Sequence, residues 1–125
     1  MMEWNQLTNE IIGSAIEVHR NLGPGLLEST YEECMAYELQ ERQLTIKRQI
    51  EIPVLYKGTQ LEQNYRIDLL VNNQVIIELK SVNKLEPVHD AQLLTHLKLA
   101  NKRYGLLLNF NVPVMKQGIR RLLNG

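Results

Sequence analysis

The chain has 125 residues, 44% hydrophobic and 22% charged, with 14 Lys+Arg balancing 14 Asp+Glu. That length and balance fit one globular domain spanning residues 1–125 with a core of its own, and they exclude a disordered chain. A lone cysteine, Cys34, excludes a disulfide framework or Cys-rich zinc module, and no apolar run approaches the roughly 18 residues of a membrane span.

In chain order, apolar residues at Leu7, Ile11, Ile12, Ala15, Ile16, Val18 and Leu22 have helical spacing and predict a helix over 5–21, with Asn5 or Thr8 as its cap. The opening Met1-Met2-Glu3-Trp4 lacks the basic-then-apolar pattern of a secretory signal, so a reducing cytoplasm is the expected address. Leu22-Gly23-Pro24-Gly25 breaks the first helix, and a second is expected over 27–43 with Leu27, Tyr31, Cys34, Met35 and Leu39 turned inward. From Thr45 the period becomes two, with Ile46, Ile50, Ile52, Val54 and Tyr56 alternating, and Pro53 suits an edge position or a bulge. Turns at Lys57-Gly58-Thr59 and Asn72-Asn73 bound a second strand ending at Val71, and a third runs from Val75 to Lys80. A helix over 88–101 and a buried strand from Tyr104 to Asn109 follow, while the end of the chain has no clear period. The order ααβββαβ, with an optional last strand, describes an α/β protein: a mixed sheet with helices on its faces.

The third strand, Val75-Ile76-Ile77-Glu78-Leu79-Lys80, sends Ile76, Glu78 and Lys80 to one side and Val75, Ile77 and Leu79 to the other. In the strand before it, alternation groups Tyr65, Ile67, Leu69 and Val71 against Arg66, Asp68 and Leu70. A two-residue turn would pair Asp68 with Ile77 and mix charged with apolar residues on both faces. The three-residue turn Asn72-Asn73-Gln74 pairs Asp68 with Glu78 and keeps one face apolar, so it is expected. Two carboxylates forced together repel unless a proton or cation stands between them, and a hard divalent ion suits such oxygen donors. Lys80 beside them could orient or deprotonate a metal-bound water or hold a phosphate oxygen. A structural cross-strand Asp–Lys or Glu–Lys pair on a solvated face is the alternative.

The zero net charge hides an asymmetry. No acid follows Asp90, whereas Lys98, Lys102, Arg103, Lys116, Arg120 and Arg121 do, so the last 35 residues carry +6 and the first 90 carry −6. Such a basic stretch suits a phosphate backbone, although a solvated face would look the same.

Asp68, nine residues, then Glu78-Leu79-Lys80 resembles the PD-(D/E)XK motif of a metal-dependent nuclease superfamily, with Ile67 where the motif has Pro. More specific is the run from His19 to Tyr31, whose Gly25, Glu28 and Tyr31 resemble the hallmark of the GxxExxY family; Ile77 to Val82 and Ala91-Gln92-Leu93-Leu94 resemble it too. The resemblance implies a central mixed sheet with the site on its paired strands, Mg2+ (or Mn2+) as cofactor, and Asp68 and Glu78 as its ligands with the Leu79 carbonyl as a third. It also implies Lys80 acting on the attacking water, Glu28 as an extra acid from the preceding helix, and Gln92 helping to hold the site. Four residues after Gln92, where a Tyr is usual, stands His96. Tyr31 and His96 are therefore expected in supporting positions, though His89, Gln92 and His96 form a helical stripe that ordinary packing would also explain. Glu28 could equally be a helix-start acid favoured by the dipole.

Together these features point to a nuclease that hydrolyses phosphodiester bonds of DNA, more than RNA, by a metal-activated water. The alternative is a catalytically silent module of the same fold that binds nucleic acid or protein, or a subunit of a larger assembly. A homodimer or larger complex and a nucleic-acid partner, with no membrane, complete the expectation.

Overall fold

Helical spacing at the start of the chain becomes α1 (Trp4–Leu22) in the computed structural model, which describes residues 2–125; Leu7, Ile11, Ala15 and Val18 are its buried stripe. The helix starts one residue earlier than its pattern predicts, with Glu3 at the N-cap and no side-chain cap; Asn5 and Thr8 both lie inside it. It ends where Gly23 takes φ 71° and donates its N–H to His19 O (2.8 Å), a conformation suited to glycine. The second helix, α2 (Glu28–Glu41), buries Tyr31, Met35 and Leu39 as expected. Leu27 does not turn inward: it is the extended N-cap residue and 74% exposed, and Cys34 is only half-buried.

The five strands β1 (Ile46–Tyr56), β2 (Thr59–Val71), β3 (Val75–Lys80), β4 (Tyr104–Asn109) and β5 (Ile119–Leu123) lie side by side in chain order. All pairs are antiparallel except β3 with β4, which α3 (Pro87–Ala100) connects as a parallel crossover needs. The aperiodic chain end thus supplies an edge strand, after a short 3-10 turn at Met115–Gly118. Pro53 lies on the other edge strand, where the ladder shifts between Pro53 and Leu55. Helices α1 and α2 cover one face over Leu69, Val71, Val75, Ile77, Leu79, Leu106 and Leu108. On the other face α3 places Leu93 and Leu97 against Leu70, Ile76 and Leu107.

Val71 faces Val75 and Leu69 faces Ile77, so the β2–β3 turn has three residues, with Asn72 and Asn73 left-handed at φ 51° and 55°. Face burial has selected this register, as the alternation argument requires. Alternation fails at one place. Ile67 should share a face with Leu69, but it belongs to the α3-side core. The pairing of β1 with β2 passes from Arg48↔Leu69 to Ile50↔Ile67, and the skipped residue opposite Asp68 is Gln49, at φ 50°. Period two survives only while pairing is regular; at this unpaired step, across which the register does not change, β2 turns Ile67 to the other face.

At Gly118 a Cβ would stand 1.9 Å from Asn109 O, so only glycine fits. Gly118→Ala is expected to lower the unfolding free energy by about 1–3 kcal/mol in urea titration, as overpacking does, and an unchanged midpoint would contradict this close approach.

Candidate active site

Asp68 lies where the β2–β3 ladder ends. The last pair is Leu69↔Ile77, and beyond it the Leu79 N–H donates to Asp68 Oδ2 (2.7 Å). The Leu79 N–H is thus committed to this carboxylate. Asp68 Oδ1 accepts a longer bond from Gln49 Nε2 (3.4 Å). Glu78 faces α3 and is buried, its Oε1 3.0 Å from His96 Nδ1. That contact is not aligned with a ring N–H, which leaves the buried Nδ1 without a hydrogen bond. The His96 ring also lies tilted against Tyr65, with centroids 5.6 Å apart. Lys80 closes β3, half-buried and close enough to act on Asp68.

Electrostatics tie these groups together. Burial pushes the Asp68 carboxyl above the usual carboxylate range, and the Leu79 N–H opposes it. The charges of Glu78 and Glu32 push it further up, and that of Lys80 pulls it down. Glu78 and Lys80 thus both act on the Asp68 carboxyl through their charges, in opposite directions.

Glu32 was not visible in the motifs. It is 7% exposed on α2 and accepts from Arg48 Nε (2.9 Å) and from Gln49 Nε2. Its signal was an acid one turn before buried Ala36 and two before Leu39, on a stripe that otherwise faces the core. Glu28, the expected helix acid, is exposed and accepts the Ser81 N–H (3.2 Å), next to Lys80. Around it the Gly25–Tyr31 run forms a clamp. Ser81 Oγ donates to Leu26 O (2.7 Å), while the Tyr31 hydroxyl donates to Gly23 O (2.6 Å) and accepts from Leu26 N (3.1 Å). The Tyr31 ring stacks on Phe110 at 4.4 Å. On the other side, buried Asn109 accepts from Val82 N and donates to Val82 O, so the chain after Lys80 is held from both sides.

Other expected positions stand apart. Gln92 is exposed, and the α3 residue that meets Glu78 is His96. His89 serves the start of α3, its Nδ1 accepting from Glu86 N (2.9 Å), so the histidine stripe is not one site. The six late cations do not form one track. Arg120 pairs with Asp90 (2.6 Å), Lys102 donates to Asn73 Oδ1 (3.1 Å), Arg103 lies over the Tyr104 ring, and Lys98, Lys116 and Arg121 are exposed. Lys102 and Arg103 precede the start of β4, whereas Lys80 pairs with Asn109 at its end. Five residues of strand, about 17 Å, intervene.

Among the described residues no group of three His, Cys, Asp or Glu side chains converges closely enough to form a metal cluster. The donors that do meet still fit a hard divalent cation in kind. Asp68 and Glu78 offer oxygens, and their mutual repulsion is what such an ion relieves. No described helix is long and apolar enough to cross a membrane.

A family profile described as the PD-(D/E)XK nuclease superfamily matches residues 5–122. Among solved structures, the chain is similar to an alkaline exonuclease (LHK-Exo) from Laribacter hongkongensis at 14% identity and TM-score 0.54, covering 100% of this chain and 73% of that one. It is also similar to SSO0001, at 16% identity and TM-score 0.52, covering 94% of this chain and 78% of the other. At such identities the likeness is one of fold. No curated protein sequence matches.

A raised carboxyl pKa means that the fold favours protonated Asp68. Its contribution to stability is full below the ordinary carboxylate pKa and is lost as pH rises through the raised one. Asn at this position carries no charge and still offers Oδ1 to the Leu79 N–H. Asp68→Asn is therefore expected to melt above the wild type at pH 7, by a margin that shrinks toward pH 4. An equal or lower melting temperature at pH 7 would contradict the electrostatic account.

Proposed function

The chain belongs to the PD-(D/E)XK nuclease superfamily, and on that premise we propose that it hydrolyses phosphodiester bonds of nucleic acid, DNA more than RNA, with Mg2+ or Mn2+. The observation that carries this reading is the pairing of a destabilised Asp68 carboxylate with buried Glu78 at the strand end where Lys80 stands. Crowded, half-desolvated acids cost stability, and groups perturbed in this way cluster at functional sites. Asp68 and Glu78, with the Leu79 carbonyl, would hold the ion, which when bound lowers the pKa of a water and stabilises charge on the phosphate. Lys80 Nζ donates hydrogen bonds to the attacking water or to a phosphate oxygen. His96 packs beside Glu78 from α3, the helix on which Gln92 was expected to help hold the site. Glu28 accepts from the Ser81 N–H just after Lys80 while Tyr31 holds the loop at Gly23 and Leu26, and the Gly25, Glu28, Tyr31 pattern supports placing the chain in the GxxExxY family.

The basic residues serve the substrate at a distance. Seventeen ångströms along β4 correspond to about five nucleotides of a strand, so Lys102 and Arg103 suit phosphates remote from the cut. Lys98, Lys116 and Arg121 extend the positive surface in other directions, while Arg120 is neutralised by Asp90. A second reading, a silent binding module or a subunit of a larger assembly, is favoured by one observation: the Asp68 oxygens are already engaged by Leu79 and Gln49. A homodimer is compatible with either reading, and the cytoplasm is the address we assign.

Purified protein incubated with single-stranded, duplex and branched DNA and with RNA, in Mg2+ or Mn2+, is expected to cut at least one substrate. Lys80→Ala and Asp68→Asn should each lower kcat by about 10²–10⁴-fold, the range for a lost proton-transfer or positioning group at the reacting centre. Failure to cut any substrate with either ion would replace the nuclease with the binding module.

A further inference from the structure

Gln49 is a non-glycine residue at φ 50°, a left-handed conformation that costs such a residue stability and persists where surroundings impose it. It lies opposite Asp68, the pair left out of the β1–β2 ladder between Arg48↔Leu69 and Ile50↔Ile67. Its side-chain amide reaches two carboxylates, Glu32 Oε1 and Asp68 Oδ1. Carboxylate oxygens of ionised acids only accept, so the Nε2 end of the amide must face them, and its two N–H groups can serve both. Glu32 is itself fixed, buried and paired with Arg48 Nε at 2.9 Å. The other Asp68 oxygen is taken by the Leu79 N–H. Two anchors on two different oxygens define the plane of a carboxylate, and a neutral amide between Glu32 and Asp68 spares them direct contact.

We propose that Gln49 is a positioning residue that aims the Asp68 carboxylate, with the Glu32–Arg48 pair as its anchor. This rests on the reading of Asp68 as a residue of the active site. The strained backbone is then the means by which a β1 side chain reaches a gap in the sheet between α2 and β3. A residue that only filled space or closed a turn would need neither the amide nor its reach.

Gln49→Gly separates the two roles, because glycine suits φ 50° and removes the amide. The variant is expected to melt at or above the wild-type temperature. In metal-free protein its Leu79 amide proton should move upfield in the NMR spectrum as the Asp68 bond loosens, with Val75 and Ile77 unchanged. On a substrate that the wild type cuts, kcat should fall about 10–100-fold with KM unchanged, as for residues that orient a metal ligand. Gln49→Asn, which keeps a left-handed preference and an amide but loses one methylene of reach, should behave like the glycine variant. An unmoved Leu79 amide in Gln49→Gly overturns the positioning role whether or not the wild type is a nuclease. If the wild type cuts nothing, a moved Leu79 amide still sustains the positioning, and only the proposed activity falls.

Discussion

A carboxylate stands where a sheet would place a carbonyl. Backbone N–H groups inside a protein must find an acceptor, and in a ladder the acceptor is the neighbouring strand. At Leu79 it is the Asp68 side chain. This one bond lets β2 depart from β3 after Leu69 without leaving a buried donor unpaired. It also draws Asp68 toward the end of β3, where Glu78 and Lys80 are. Without it the strand would continue its alternation and the two acids would project as an ordinary cross-strand pair.

The rest of the molecule holds that opening in place. On the β1 side, Gln49 adopts a left-handed backbone opposite Asp68, and α2 lends Glu32 and its Arg48 partner. On the α3 side, His96 closes over Glu78. Beyond Lys80, Leu26 and Glu28, next to a turn stapled by the Tyr31 hydroxyl, hold Ser81, while Asn109 holds Val82. The segment between His19 and Tyr31 thus acts on the site from outside it: its residues bond to one another and to the chain that follows Lys80. Charge follows a similar division. Residues 1–43 hold eight acids and two bases, residues 44–90 balance, and residues 91–125 hold only bases. Neutrality is a sum over an acidic helical layer and late bases that the fold spreads over α3, the 3-10 turn and β5.

Much of this was legible before any coordinates. Periodicity located all three helices and four strands, because each buries a stripe of the right period, and face burial alone chose the three-residue turn that pairs Leu69 with Ile77, although the expected Asp68–Glu78 pair lies beyond the end of that ladder. What escaped notice did so for physical reasons. Nothing in a glutamine signals φ 50°, so the unpaired step at Gln49 and the reversed face of Ile67 could not be read from alternation. Glu32 belongs to no motif and sits in a helix rich in acids, so only its place before Ala36 and Leu39 marks it as inward. Leu27 was assigned to the core because a helix start cannot be fixed to one residue by pattern, and one residue decides which way it points. The late cations read as one basic tract along the chain, but strand and helix geometry disperses them.

The central claim is that Asp68 and Glu78 are held together at a cost that a divalent cation relieves. Calorimetric titration of Mn2+ into the protein at neutral pH tests it directly. The account predicts saturable binding of one ion that Asp68→Asn abolishes while its fold is kept. No binding by the wild type, or equal binding by the variant, would contradict it.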